Sequence, residues 1–298
     1  MVPTKEILVT KHELLQNARN FLVREGFIEI NTPKISFMPT DQDDHVFKTN
    51  YFGIEAYLIQ SPQFYKQAYI LNGIDSVFET APVFRSEPRV TPGHLSEFIS
   101  LDIESSRFKK LDDLIDFETR LIRYISSKME DNQYVKPITT FATIPAMELK
   151  KLLNIPYTQP IGPAEEARIN EVIGADAVFV VNFPKGERVF YYNSDDTISE
   201  SYDLIVRGLE ITSGGIRTTD YHKLFNAMNE IGIDTQRYKP YLDLFKSGNV
   251  IKHGGFAIGV ERIVSKMLNL DDVADANPYS KKPDTKEEVL LWNRSKDK

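Results

Sequence analysis

Apolar residues at helical spacing open the chain. Over residues 11–25, Leu14, Leu15, Ala18, Phe21 and Leu22 line one face, and Gly26 then stops the helix. Residues 27–33, Phe-Ile-Glu-Ile-Asn-Thr-Pro, predict a strand ended by proline. Residues 56–60 and 77–84 predict two more strands. Between them Ser61, as N-cap, and Pro62, at the first helical position, start a helix over residues 61–68. Residues 111–128 have the pattern of an amphipathic helix. Further along, residues 177–182, 189–192 and 202–211 read as strands, and 221–232 and 240–247 as helices. Residues 256–259 read as a strand followed by a helix over 260–268.

Strands joined by such unequal connections do not form a regular βαβ alternation, so the pattern predicts an α+β fold, a mostly antiparallel sheet with helices packed on it. A Rossmann fold is set aside because no G-x-G-x-x-G or G-x-x-x-x-G-K-[ST] segment follows a predicted strand. Residues 136–176 are mixed in pattern and hold Pro137, Pro145, Pro156, Pro160 and Pro163. They read as a small insertion with short helices, about residues 130–175, inside a single domain spanning 1–298.

The 298 residues include 41% hydrophobic and 11% aromatic positions, enough for a sizeable core. No apolar run reaches the roughly 18 residues of a membrane span, and the first residues lack the basic and apolar regions of a secretory signal. With no cysteine, disulfides, thiolate metal sites and a cysteine nucleophile are excluded, which fits a cytoplasmic protein. A net charge of −7, with basic runs no longer than pairs such as Lys109-Lys110, shows no global nucleic-acid footprint.

Two arginine-centred segments carry the candidate chemistry. One is Phe84-Arg85-Ser86-Glu87, followed by His94-Leu95-Ser96-Glu97-Phe98 and Leu101-Asp102-Ile103-Glu104; the other is Gly254-Gly255-Phe256-Ala257-Ile258-Gly259-Val260-Glu261-Arg262. Arginine suits phosphate because its planar fork pairs bidentately with phosphate oxygens and keeps its charge. Between the two stand Gln60-Ser61-Pro62-Gln63-Phe64-Tyr65-Lys66-Gln67 and Arg207-Gly208-Leu209-Glu210-Ile211-Thr212-Ser213-Gly214-Gly215-Ile216-Arg217. In this order, the set resembles the catalytic core of class II aminoacyl-tRNA synthetases of the aspartyl/asparaginyl subgroup, most closely the archaeal aspartyl type. Residues 13–272 carry the resemblance. The helix over residues 11–25 together with residues 26–34 is similar to the family's motif 1, 85–104 to motif 2 and 254–262 to motif 3.

The resemblance implies a mostly antiparallel sheet of six to seven strands flanked by helices, and a homodimer formed through the motif 1 region around Pro33. It implies an ATP site in which Arg85 and Arg262 are catalytic. Arg85 would bind the α-phosphate, Phe98 would stack on the adenine, His94 and Arg262 would take the γ-phosphate, and Glu87 belongs to the same site. Glu210 and Ser213 would hold Mg²⁺ through oxygen, as a hard cation on phosphate requires. Positions i and i+3 face opposite sides of a regular strand, so a bulge near Thr212 is expected. Lys66 and Arg217 match the two cations that clamp the aspartate side chain in aspartyl enzymes. Asp102, with Asp41 as a second candidate, would hold the substrate ammonium, and Ser61 and Gln63 would complete the pocket.

Three departures are visible. The motif 1 helix begins too near Met1 to leave room for the family's N-terminal anticodon-binding domain. Gly93 stands where aspartyl enzymes carry arginine, with Arg89 as a substitute. Asn277-Pro278-Tyr279-Ser280-Lys281-Lys282-Pro283 replaces the family's F-P-R segment. On these grounds the first expectation is an AMP-forming asparagine synthetase that activates L-aspartate and transfers it to ammonia without tRNA. The second is an aspartyl- or asparaginyl-tRNA ligase, and the third a regulatory paralogue without turnover.

Overall fold

The computed structural model describes residues 2–41, 45–86, 91–246, 251–277 and 279. Helix α1 (Thr4–Arg24) leads into the two-residue strand β1 (Ile28–Glu29). A small sheet follows, made of β2 (Ile35–Ser36), β3 (Lys48–Tyr51) and β4 (Ile54–Leu58), and then helix α2 (Gln63–Leu71). This corrects the expected cap: Pro62, not Ser61, holds the N-cap position and makes no side-chain cap bond, while Ser61 Oγ, one residue earlier, accepts from the Gln63 amide at 3.2 Å. Two long strands come next, β5 (Ser76–Phe84) and β6 (Glu97–Ser105), and then the amphipathic helix α3 (Leu111–Ser127).

The proline-rich stretch contributes strand β7 (Phe141–Pro145) and helices α4 (Ala146–Leu153) and α5 (Pro163–Ile173). Strands β8 (Ala177–Val181), β9 (Ser201–Val206) and β10 (Leu209–Ile216) then lead to helices α6 (Tyr221–Glu230) and α7 (Lys239–Leu242). Strand β11 (Gly254–Gly259) runs directly into helix α8 (Val260–Met267).

The main sheet has eight strands in the order β1-β5-β6-β11-β10-β9-β8-β7, and it is mixed. This corrects the expected six to seven antiparallel strands. The inner pairs are antiparallel, but β1 lies parallel to β5 at one edge and β7 parallel to β8 at the other. Helices α4 and α5 stand between β7 and β8, and a crossover of that length is what lets a strand return in the same direction. Both edge strands escape the pattern for physical reasons. β1 is only two residues long, and β7 ends on Pro145, which an edge position tolerates.

Two other expectations change. Residues 202–211 are not one strand: a hairpin turn at Arg207 (φ 46°) and Gly208 (φ 81°) separates β9 from β10. Such a turn needs positive φ at both central positions. Arg207 holds this unfavourable backbone because its guanidinium donates to Lys136 O, Pro137 O, Lys266 O and Asp176. Residues 189–192 form no strand beyond a bridge from Tyr192 to Arg217; Phe190, Tyr191 and Tyr192 join an aromatic cluster with Phe64, Tyr238 and Tyr241 instead.

Burial follows the strand alternation. Ala177, Phe179 and Val181 of β8 join the main core under α1, α3 and α8, while Val178 and Val180 pack on Ala146, Leu149 and Ile169 of α4 and α5. With both faces covered, β8 reads as an unbroken apolar run rather than an alternating one.

Candidate active site

Strand β6 shows how the sheet builds the site. Ile99, Leu101 and Ile103 share one face and pack into the core. Phe98, Ser100, Asp102 and Glu104 share the other, a row that passes from an aromatic ring through a hydroxyl to two carboxylates. That row runs from an open cleft into a buried charge cluster.

The cleft measures about 660 Å³ with the open solvent at its mouth counted in. Its walls include Arg85, His94, Phe98, Glu210, Ser213 and Arg262. Arg85, just past β5, has a side chain 41% exposed. Its guanidinium carbon lies 5.6 Å from the Phe98 ring centre and its Nη2 3.9 Å from Asp41 Oδ2. Arg262, in the first turn of α8, donates from Nε to Gly93 O at 3.1 Å and from Nη1 to Glu210 O at 2.8 Å. Gly93 thus uses its carbonyl on Arg262; a Cβ there would come within 3.2 Å of Leu209 Cδ1. Glu87 and Arg89 lie outside the described residues.

Glu210 and Ser213 reach the same cleft because the β9–β10 ladder shifts register between Glu210 and Thr212. This bulge is what an i, i+3 pair requires in order to share a face. Ser213 Oγ accepts from Arg188 Nη2 at 3.0 Å, and Arg188 grips Asp203 with both terminal nitrogens at 2.7 and 2.6 Å. Burial first, and the neighbouring Asp203 carboxylate second, raise Glu210 above the ordinary carboxylate range against the pull of Arg262. Its side chain remains 34% exposed, so a cation arriving from the cleft can reach it. Among the described residues no three acidic or histidine side chains stand close enough to hold a metal unaided. Two oxygen donors on an open cleft fit a magnesium ion that arrives with phosphate, which supplies the remaining ligands.

Behind the cleft, Lys66 on α2, Asp102 and Glu104 on β6 and Arg217 after β10 meet almost without solvent contact. Arg217 donates to Glu104 from Nε (2.8 Å) and Nη2 (3.0 Å), and from Nη2 to Gln63 Oε1 (3.1 Å). Gln63 Nε2 donates back to Glu104 at 3.1 Å. Burial alone would raise the Glu104 pKa, but Arg217 and then Lys66 outweigh it and hold it at about 2. Strand β11 makes room: a Cβ on Gly255 would lie 2.3 Å from Glu104 Oε2.

Lys66 Nζ sits 2.9 Å from Asp102 Oδ1, but off the hydrogen-bonding direction, so neither atom makes a hydrogen bond. Arg217 Nη1 makes none either. Ser100, in the cleft wall, donates its hydroxyl to Asp102 at 2.5 Å and ties the two regions together. Asp41 stands at their margin, where it accepts from Tyr191 OH at 2.9 Å. Ser61 is spent on the start of α2.

Four residues that sequence reasoning left without a role shape this site: Glu104, Asp203, Arg188 and His253. Burial lowers the His253 pKa and keeps it neutral. Its Nδ1–H donates to Ile251 O at 2.7 Å, and its Nε2 accepts from Gln67 at 3.1 Å, the tautomer this network requires. Glu104 stands within motif 2 and is legible there as a carboxylate facing an arginine. Asp203, Arg188 and His253 carry no spacing signal.

The tRNA synthetases class II (D, K and N) family matches residues 3–283. The chain belongs to this family. An aspartate–tRNA(Asp/Asn) ligase of Aeropyrum pernix is 36% identical over 282 residues, 87% of this chain and 64% of the relative. An aspartate–tRNA(Asp) ligase of Pyrococcus furiosus is 33% identical over 291 residues, 90% of this chain and 66% of the relative. The chain therefore spans slightly less than two thirds of these relatives. Asparaginyl-tRNA synthetase of Pyrococcus horikoshii, solved with asparaginyl-adenylate, superposes with a TM-score of 0.85 at 28% identity, over 94% of this chain and 69% of that one.

These class II relatives correct the expectation of an ammonia-dependent asparagine synthetase, because the proteins that match along most of the chain are named tRNA ligases. No helix among the described residues is long and apolar enough to cross a membrane.

Proposed function

We propose that this chain activates L-aspartate with ATP and passes the aspartyl group to tRNA. The supporting observation is Arg217 Nη1, a buried donor without a hydrogen bond, beside Lys66 Nζ and Asp102 Oδ1, which pair ionically at 2.9 Å and make no hydrogen bond. Buried polar groups are nearly always satisfied, and donors left over next to the cleft suit a ligand. Two cationic donors suit the side-chain carboxylate of aspartate and leave an amide poorly paired. The carboxylate oxygen of Asp102 suits the substrate ammonium.

In the first step an α-carboxylate oxygen of aspartate forms a bond to the α-phosphorus, and the bond to the bridging oxygen breaks to release pyrophosphate. Arg85 neutralises charge on the α-phosphate as it develops. Phe98 supports the adenine, and His94 and Arg262 take the γ-phosphate. Glu210 and Ser213 would hold Mg²⁺, which offsets phosphate charge when bound. In the second step a tRNA hydroxyl takes the aspartyl group, and AMP leaves. A homodimer through the motif 1 region belongs to the same reading; Ile28, Ile35, Phe37 and Phe52 expose apolar surface there.

The test is pyrophosphate exchange into ATP with aspartate or asparagine, followed by charging of tRNA. Aspartate-dependent exchange with labelled aspartyl-tRNA is the expected result. Exchange driven by asparagine instead would refute the clamp, and exchange without charging would remove tRNA from the proposal.

A further inference from the structure

The insertion is bound into the cation side of the cleft. The Glu210 main chain is gripped on both sides: its carbonyl accepts from Arg262 at 2.8 Å, and its N–H donates to Glu166 Oε2 at 3.0 Å. Glu166 belongs to α5, a helix of the insertion, and Glu210 sits at the bulge that turns its carboxylate toward the cleft. Ile211 is the extra residue of the bulge; Glu210 keeps Ile205 as its ladder partner on one side of it, and its N–H is held by Glu166 instead of by a neighbouring strand.

Helix α5 is itself seated firmly. Asn170 donates to Ala175 O, Asp176 O and Ile205 O at 3.0, 2.9 and 3.1 Å, and accepts from Gly208 N at 2.7 Å. Gly208 allows this close approach, since a Cβ on it would lie 3.0 Å from Ala167 Cα. A second tie follows a separate route. Buried Lys150 of α4 pairs with Glu187, whose neighbour Arg188 holds Asp203 and Ser213. Arg262 and Asp203 also act electrostatically on Glu166.

We infer that Glu166 is a positioning residue: through the Glu210 N–H it fixes the cleft-facing orientation of the Glu210 carboxylate, which makes the insertion a working part of the site for phosphate-borne magnesium. The inference rests on the reading of the cleft as an ATP and magnesium site. It concerns an acceptor atom at a given reach, not charge. Glu166→Gln keeps an oxygen at that reach without the charge, and Glu166→Asp keeps the charge one methylene too short.

The experiment is calorimetric titration of ATP into the full chain at a series of Mg²⁺ concentrations, with aspartate binding and thermal midpoints measured alongside. Glu166→Asp should raise the Mg²⁺ concentration for half-maximal ATP binding about tenfold, and Glu166→Gln should stay within about twofold of wild type, as expected for a residue that orients a metal ligand. Aspartate affinity should be unchanged in both. The reverse order, with Gln worse than Asp, would show that charge is what matters and overturn the inference. So would lower thermal midpoints with an unchanged Mg²⁺ requirement, which is the behaviour of a merely structural contact. Wild-type chain that binds ATP without regard to Mg²⁺ would overturn the underlying reading and the inference with it.

Discussion

The buried cluster and the open cleft hold similar charges in opposite ways. Lys66 and Arg217 lie behind the cleft with their counter-charges, Asp102 and Glu104, already in contact. Arg85 stands at the mouth with its side chain 41% exposed and 3.9 Å from Asp41 Oδ2. Taking a charge out of water costs several kcal/mol, so the inner cations must be compensated before any substrate arrives. The outer cation stays solvated. On the proposed reading the inner region would discriminate among side chains, and the outer one would capture phosphate.

The largest effect should come from the inner region. Lys66→Ala and Arg217→Ala should each cost about 2–5 kcal/mol in aspartate-dependent pyrophosphate exchange, because an opposing carboxylate is left buried and underpaired. Nucleotide binding without aspartate should persist. If exchange survives in both variants, the clamp is wrongly placed. Arg262→Ala should lower exchange about a hundredfold by removing a preorganised donor. Its aspartate affinity, read by calorimetry, should match wild type; a parallel loss would show that the two regions do not act separately.

Two further carboxylates separate burial from pairing. Glu104 and Glu118 are both fully buried, yet Glu104 is held at about 2 by its cations while burial pushes Glu118 up to about 7. Glu118 has a hydrogen bond from Tyr202 OH at 2.6 Å, but among the described residues no cation pulls its pKa down. Its folded form therefore binds a proton more tightly than the unfolded chain. The stability this supplies is present below about 4.5 and lost as pH rises to about 7, on the order of 3 kcal/mol in all. Glu118→Gln should flatten this decline in denaturant melts between pH 5 and 8. An unchanged slope would mean that another group carries it. Aspartate affinity should stay level over the same range, because Glu104, held at about 2, keeps its charge throughout. The smallest effect is ionic: raising salt to about 0.3 M should weaken ATP binding more than aspartate binding, because screening acts on exposed charges first.

Much of this arrangement is legible in the chain, and the failures have identifiable causes. Residues 98–104 do not read as a strand, because the carboxylates of Asp102 and Glu104 interrupt the apolar run; in β6 the period-two alternation sets Phe98, Ser100, Asp102 and Glu104 on one face. The i, i+3 spacing of Glu210 and Ser213 demands a bulge, and the ladder has one. The turn at Arg207 is hidden because an arginine holds a backbone normally left to Asn or Gly, supported by carbonyls of residues 136, 137 and 266. No local pattern encodes such distant support. The Glu166 contact is invisible for the same reason, since it joins residues far apart in the chain through a main-chain N–H that any side chain would have offered.

Gly255 gives the last lesson. Electrical neutrality in the pocket depends there on empty space. A single added methyl carries no charge and breaks no named bond, yet it would occupy the volume where the Glu104 carboxylate lies. Displaced from its slot, that carboxylate would leave Arg217 without the partner it grips twice, and the same methyl would lie 2.3 Å from the Ile103 carbonyl of β6. A change that counts as conservative by chemistry would then act at this position as an electrostatic substitution, and tolerance scored by residue similarity would misjudge it.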